Sequence, residues 1–196
     1  MPLTSLAESF KHFEPNAAQI ESGMLIERRL SQLEGCFADP KAYAKALEHD
    51  DPIVYSVSSL EPAQGDGDLH IGLGRIMPGK VGAEYFLTRG HLHSWREAAE
   101  IYIGIDGDGL MLLEVEGGEA QAVPLRANSI VYVPGFTAHR TVNVGSSPLT
   151  YLGIYPAKAG HDYAAIARDN FRQMVIERDG QAVTVKRADW LESQQS

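Results

Sequence analysis

The chain has 196 residues, enough for one domain that buries about two thirds of its unfolded surface without covalent staples. Its 26 acidic and 17 basic side chains give a net charge of −9 and a pI near 5.2, which disfavours a bulk nucleic-acid or anionic-lipid surface, so an anionic ligand has to be caught locally. The single cysteine, Cys36, excludes an internal disulfide framework; the opening MPLTSLAESF lacks the marks of a signal peptide, and no window approaches the roughly 20 apolar residues of a membrane helix, so a cytoplasmic address with no membrane partner is expected.

In chain order, residues 1–27 read as an amino-terminal arm, 28–190 as the folded domain and 191–196 as a polar tail. The stretch from Asn16 to Pro52 carries two helix-like pieces. The clearer is DPKAYAKALEHD, in which Asp39 can cap, Pro40 takes the first helical position and Pro52, just beyond, bars any continuation. From residue 53 the texture becomes short β-branched or aromatic runs, among them IVYSVSSL, LHIGLGRIM, EIYIGI, LMLLEV, SIVYVP and LTYLGIY. Turn signals such as PGKVG, DGDG, EGGE and VGSSP recur every eight to twelve residues. That rhythm predicts an antiparallel sandwich or barrel. Near the end, Tyr163, Ile166, Phe171 and Met174 fall on one helical stripe, and VIERDGQAVTVKR reads as two strands around an Asp-Gly turn.

The chemistry concentrates in TRGHLHSWREAAEIYIGI. His91 and His93 stand two positions apart, so an extended backbone aims both imidazoles to one face. Glu100 opens the next strand, and His139 follows 39 residues later, after VYVPGFTA. Three imidazoles and a carboxylate suit Fe(II), Mn(II), Ni(II) or Zn(II), with positions left for substrate or water. An isolated His-x-His pair is more often a packed or exposed couple; the third and fourth members change that weighting.

Asn143 after His139, and Gly107 opening the GDG turn after Glu100, complete offsets that resemble the two short motifs of the cupin superfamily. The gap between His93 and Glu100 is longer than the common cupin motif, and Phe136 stands where the second motif usually has Gly. The longer gap, together with DPIVYSV, GDLHIG, PGKVGAEYFLTRGHLH, AEIYIG and PLTYLGIYPAKAGHDYAAI, resembles the cupin-type glucose-6-phosphate isomerases over roughly residues 28–180.

The resemblance implies a single-domain all-β cupin, a double-stranded antiparallel β-helix of jelly-roll type with short helices near both ends. It implies a divalent metal, Fe(II) first, on His91, His93, Glu100 and His139. It also implies a glucose 6-phosphate/fructose 6-phosphate isomerase that pairs as a homodimer. Glu100 is then a ligand and a proton-moving candidate for an enediol path, with a metal-assisted hydride shift as the competing route. Tyr102, His161 and Tyr163 map around the sugar carbons, and Tyr55, Thr88, Gly90 and Tyr155 to phosphate or sugar. Gly74 stands where similar chains carry a hydroxyl residue, leaving a phosphate contact absent or supplied by Arg75. A cupin dioxygenase with the same ligands and a non-catalytic sugar-binding cupin are the alternatives. Lys80 and Trp95 are open between pocket and surface roles. Cys36 reads as a buried hydrophobe, and His12, His49 and His70 as structural or surface residues.

Overall fold

The computed structural model describes residues 9–194. The part of the expected arm over residues 1–8 and the last two tail residues lie outside the described residues. A small hairpin, β1 (Phe13–Glu14) and β2 (Gln19–Ile20), precedes β3 (Met24–Arg29), a single 3-10 turn (Leu30–Leu33) and α1 (Pro40–His49). The first helix-like piece is therefore a strand and a turn. The second is the helix predicted: Asp39 Oδ1 accepts from the amides of Lys41 and Ala42, each at 2.9 Å, and Pro40 sits in the first turn.

The barrel strands come next: β4 (Ile53–Leu60), β5 (Leu69–Ile76), β6 (Lys80–Val81), β7 (Glu84–Tyr85), β8 (Glu100–Asp106), β9 (Asp108–Val115), β10 (Ala120–Arg126), β11 (Ile130–Val133), β12 (Thr137–Asn143) and β13 (Leu149–Pro156). They are antiparallel throughout. A six-stranded sheet runs β11-β8-β13-β5-β4-β3 and faces a three-stranded sheet β10-β9-β12. This is the single-domain, all-β cupin architecture expected. Pro124 lies in the edge strand β10, where a missing N–H breaks no second ladder.

The chain closes with α2 (Ala164–Ala167), β14 (Gln173–Arg178), β15 (Gln181–Lys186) and α3 (Arg187–Ser193). Here the sequence expectation is corrected. The stripe from Tyr163 to Met174 is one helical turn followed by a strand. Asn170 takes a left-handed φ of 57° and ends the helix, with its amide on the Ile166 carbonyl. Phe171 and Met174 are fully buried, while Tyr163 is exposed. The predicted hairpin forms, with Asp179 and Gly180 both at positive φ in the turn. The tail read as polar begins inside α3.

Strand alternation gives the six-stranded sheet two faces. Inward residues such as Tyr55, Tyr102 and Tyr151 are buried. On the outward face, the β1–β2 hairpin lies against β4, where the Ile20 amide donates to Ser58 Oγ at 3.0 Å. Beyond it, Ile101, Ile130 and Tyr132 are exposed, Ile71, Ile103 and Ile154 half-buried. No helix among the described residues is long and apolar enough to cross a membrane.

Candidate metal centre and pocket

The segment from Leu87 to Leu92 runs beside β12 as an irregular strand. Leu87 pairs with Val142 and His91 with His139, so four steps on one side face three on the other. The extra residue is a bulge, absorbed at Gly90 with φ of 74°. A Cβ there would lie 2.6 Å from the Phe171 ring. Thr88 closes the bulge: its amide donates to the Thr141 carbonyl at 2.9 Å, and its Oγ1 accepts from the Thr141 amide at 3.1 Å.

The long gap after His93 has a structural use. Its chain turns back, with the Ala98 amide on the Trp95 carbonyl, and brings the Ala98 carbonyl 3.0 Å from His93 Nδ1. His139 Nδ1 faces the Thr137 carbonyl at 3.2 Å. Each contact fixes a ring so that Nε2 points inward. His93 Nε2 and His139 Nε2 lie 3.2 and 3.1 Å from Glu100 Oε2. One ligating atom from each of His91, His93, Glu100 and His139 lies within 4.8 Å of the others.

The electrostatics suit a cation. His91 Nε2 is buried without a hydrogen-bond partner, a cost that a metal ion would remove. Burial, reinforced by the neighbouring imidazoles of His139, His161 and His93, holds His91 well below the ordinary histidine value, so it is neutral and ready to ligate. Glu100 is held at about 2: burial works against ionisation, but hydrogen bonds from His139 and His93 prevail. For His93, burial is outweighed by Glu100 and the Ala98 carbonyl, which raise it. Gly153, the β13 partner of Tyr102, leaves the carboxylate its space; a Cβ there would come 2.7 Å from Glu100 Oε1.

A cavity of about 290 Å³ opens over this cluster. Tyr55, Thr88, Gly90, Tyr102, Tyr155, His161 and Tyr163 all line it with His91, Glu100 and His139; His93 lies behind. His161 stands 4.4 Å from the His91 ring, centroid to centroid, and stacks on Tyr163 at 5.8 Å. The Arg89 guanidinium lies 5.5 Å over the Tyr163 ring. Tyr102 is buried, and burial with the nearby Glu100 pushes its phenol far up.

Some residues are placed elsewhere. Arg75 faces the outer side of β5, paired with Ser56, and lines a different cavity with Met77 and Phe86. Strand alternation therefore removes it from the phosphate question raised by Gly74. Lys80 pairs with Glu177, and exposed Trp95 lines a separate cleft with Asp66 and Lys158. Cys36 is buried, and His70 is packed with Nε2 at 2.9 Å from the Ala63 carbonyl. Sequence reasoning missed Arg28, Arg89, Arg140 and Tyr151 in the pocket wall. Tyr151 was findable, since it shares the inward parity of Gly153 and Tyr155.

A model of the family described as glucose-6-phosphate isomerase (GPI) matches residues 27–192. A glucose-6-phosphate isomerase of Pyrococcus horikoshii is 44% identical over 171 residues, covering 87% of this chain and 90% of that protein. That of Thermococcus kodakarensis is 45% identical over 178 residues (88% and 94%), and that of Sinorhizobium medicae 41% over 180 (87% and 84%). Among solved structures, an oxalate oxidase in complex with the substrate analogue glycolate matches at 16% identity with a TM-score of 0.49, covering 58% of this chain and 56% of that one.

Proposed function

Because the chain belongs to the glucose-6-phosphate isomerase family, we propose that it is a metal-dependent aldose-ketose isomerase interconverting glucose 6-phosphate and fructose 6-phosphate. The observation that carries this is a largely buried three-imidazole, one-carboxylate cluster, the His91 Nε2 atom unpartnered, beneath a cavity lined by hydroxyls.

His91, His93, Glu100 and His139 would hold a divalent ion, Fe(II) foremost. When bound, such an ion supplies Lewis acidity to a carbonyl on which negative charge builds. The chain's own groups do the rest. Neutral His91 and the fixed rings of His93 and His139 offer lone pairs without a proton to displace from His91. Glu100, ionised by its surroundings, is an acceptor for a proton moving between adjacent sugar carbons. His161, held neutral chiefly by burial, and the protonated Tyr102 hydroxyl flank the sugar carbons, with Tyr163 as the outer wall. Tyr55, Thr88, Gly90 and Tyr155 take the phosphate and the adjoining hydroxyls. The substrate partner is thus a phosphorylated sugar, caught locally in an acidic chain.

The working form is a cytoplasmic homodimer, its catalytic unit spanning 28–190 and its arm spanning 1–27. The apolar outward face around Ile101, Ile130 and Tyr132 supports this pairing.

The test is conversion of fructose 6-phosphate by purified protein, in a coupled assay, after chelation and after adding back Fe(II), Mn(II), Ni(II) or Zn(II) separately. Loss with chelator and recovery with one ion is expected. Stoichiometric metal with no turnover on any ion would falsify the reading and favour the dioxygenase or binding alternatives.

A further inference from the structure

Tyr151 and Gly74 are direct cross-strand partners on β13 and β5. The Tyr151 ring folds over the glycine: a Cβ at position 74 would lie 2.4 Å from the ring's Cζ and 2.7 Å from its hydroxyl. A residue with a side chain at position 74 and Tyr151 in this rotamer exclude each other. The space is filled by a phenol that reaches it from the neighbouring strand, and both residues line the cavity over the ligand cluster.

Position along the strands says which end of the cavity this is. Gly153 abuts Glu100 Oε1, and Tyr151 is two residues away on the same face, about 7 Å along an extended strand. Thr141 stands in the same relation to His139 on β12, and is tied to Thr88. Tyr55 lines the same wall as Arg89. The hydroxyls of Tyr55, Thr88, Thr141 and Tyr151 thus gather at the end away from the ligands. Arg28 and Arg89 supply positive charge to the same cavity wall.

We infer that the Tyr151 hydroxyl, seated over Gly74, is a phosphate-binding donor that determines specificity for the phosphorylated sugar. It does from β13 what a hydroxyl side chain at position 74 would do from β5. The inference rests on the isomerase reading: with the carbonyl end of an open hexose chain at the ligand cluster, the 6-phosphate falls at this opposite end. Burial raises the Tyr151 phenol above its ordinary value, so the hydroxyl is a donor at every pH of interest.

The test compares wild type with Tyr151→Phe, which keeps the ring over Gly74 and removes only the oxygen. On metal-loaded protein, kcat and KM are measured for fructose 6-phosphate and for fructose, and inorganic phosphate binding is measured by calorimetry. A hydrogen bond to a charged group predicts that the variant binds phosphate roughly tenfold more weakly or worse. KM for fructose 6-phosphate rises by a similar factor, a larger change than any in kcat or in the activity on fructose. Equal losses on both sugars, or unchanged phosphate affinity, overturn the inference. Gly74→Ala, whose methyl displaces the ring, is expected to weaken phosphate to at least the same degree; unchanged phosphate affinity counts against the inference. Phosphate calorimetry needs no turnover: wild type that binds phosphate but isomerises neither sugar sinks the isomerase reading and leaves the Tyr151 comparison intact.

Discussion

His91 and His139 exchange backbone hydrogen bonds: the His91 amide donates to the His139 carbonyl at 3.2 Å, and the His139 amide to the His91 carbonyl at 3.0 Å. This single antiparallel bridge holds two ligand rings 4.3 Å apart although 47 other residues separate them in the chain. Side chains of directly opposed residues share a face, so the pair is built by the backbone before any ion arrives.

Glu100 gives the metal-free protein a defined acid sensitivity. Its folded value, about 2, lies below the ordinary 4.5, so its contribution is complete above about pH 4.5 and is lost as pH falls toward 2. His93 has the opposite sign: raised from 6.5, it stabilises below that value and ceases to as pH rises through the folded one. In chelated protein the pair is strongest between about pH 4.5 and 6.5. Glu100→Gln should cost on the order of 3 kcal/mol there, with the difference shrinking toward pH 2. Urea unfolding of both proteins across that range checks it; a pH-independent difference contradicts the ion-pair account.

Gly153→Ala separates folding from ligation. The new methyl meets the end of the Glu100 side chain, which can move, and no backbone. Metal-free, the variant should keep its fold and lose at most the stability that ionised Glu100 contributes. Displacing the carboxylate should weaken metal binding by about 10- to 100-fold, the range for disturbed supporting contacts. Metal titration reads this directly, and wild-type affinity would refute the role given to the glycine.

Phe136 holds a left-handed φ of 59° where a glycine would be unstrained, and it is exposed. Phe136→Gly should therefore stabilise the protein by about 0.5–1 kcal/mol, the backbone relief exceeding the entropy glycine adds to the unfolded chain. Phe136→Ala, which sheds the ring and keeps the strain, should give no such gain. Thermal melts of the two variants decide it.

The outward sheet face predicts the oligomeric state. Wild type should sediment at twice the 21.4 kDa chain mass. Ile130→Asp combined with Tyr132→Asp, both exposed on β11, should yield monomer with its secondary structure intact. A monomeric wild type rules out the face as an interface.

Much of the fold was legible in the residue order. Period-two patterning with regular turn signals specified antiparallel strands, because alternation and turn residues are local properties. The cap at Asp39 and the Asp-Gly hairpin at 179–180 were equally local. The ligand residue types could be read because each was a distinct chemical group in a resembling pattern. The stripe through Phe171 misled for a physical reason: helical spacing describes one side of a chain, and it was Asn170, turned left-handed and bonded to the carbonyls of Gly35 and Cys36, that ended the helix. Nothing within ten residues of Asn170 announces partners 134 and 135 positions away.

Residue identity and short-range order were enough to specify the strand class, the acidic balance, the four donor residues and the family resemblance. Which atoms of those residues face one another was decided in three dimensions. The one-residue bulge at Gly90, the Ala98 carbonyl behind His93, the outward turn of Arg75 and the Tyr151 ring over Gly74 all depend on strand register. Register is set by pairing between distant segments, and a shift of one residue sends a side chain to the opposite face of the sheet.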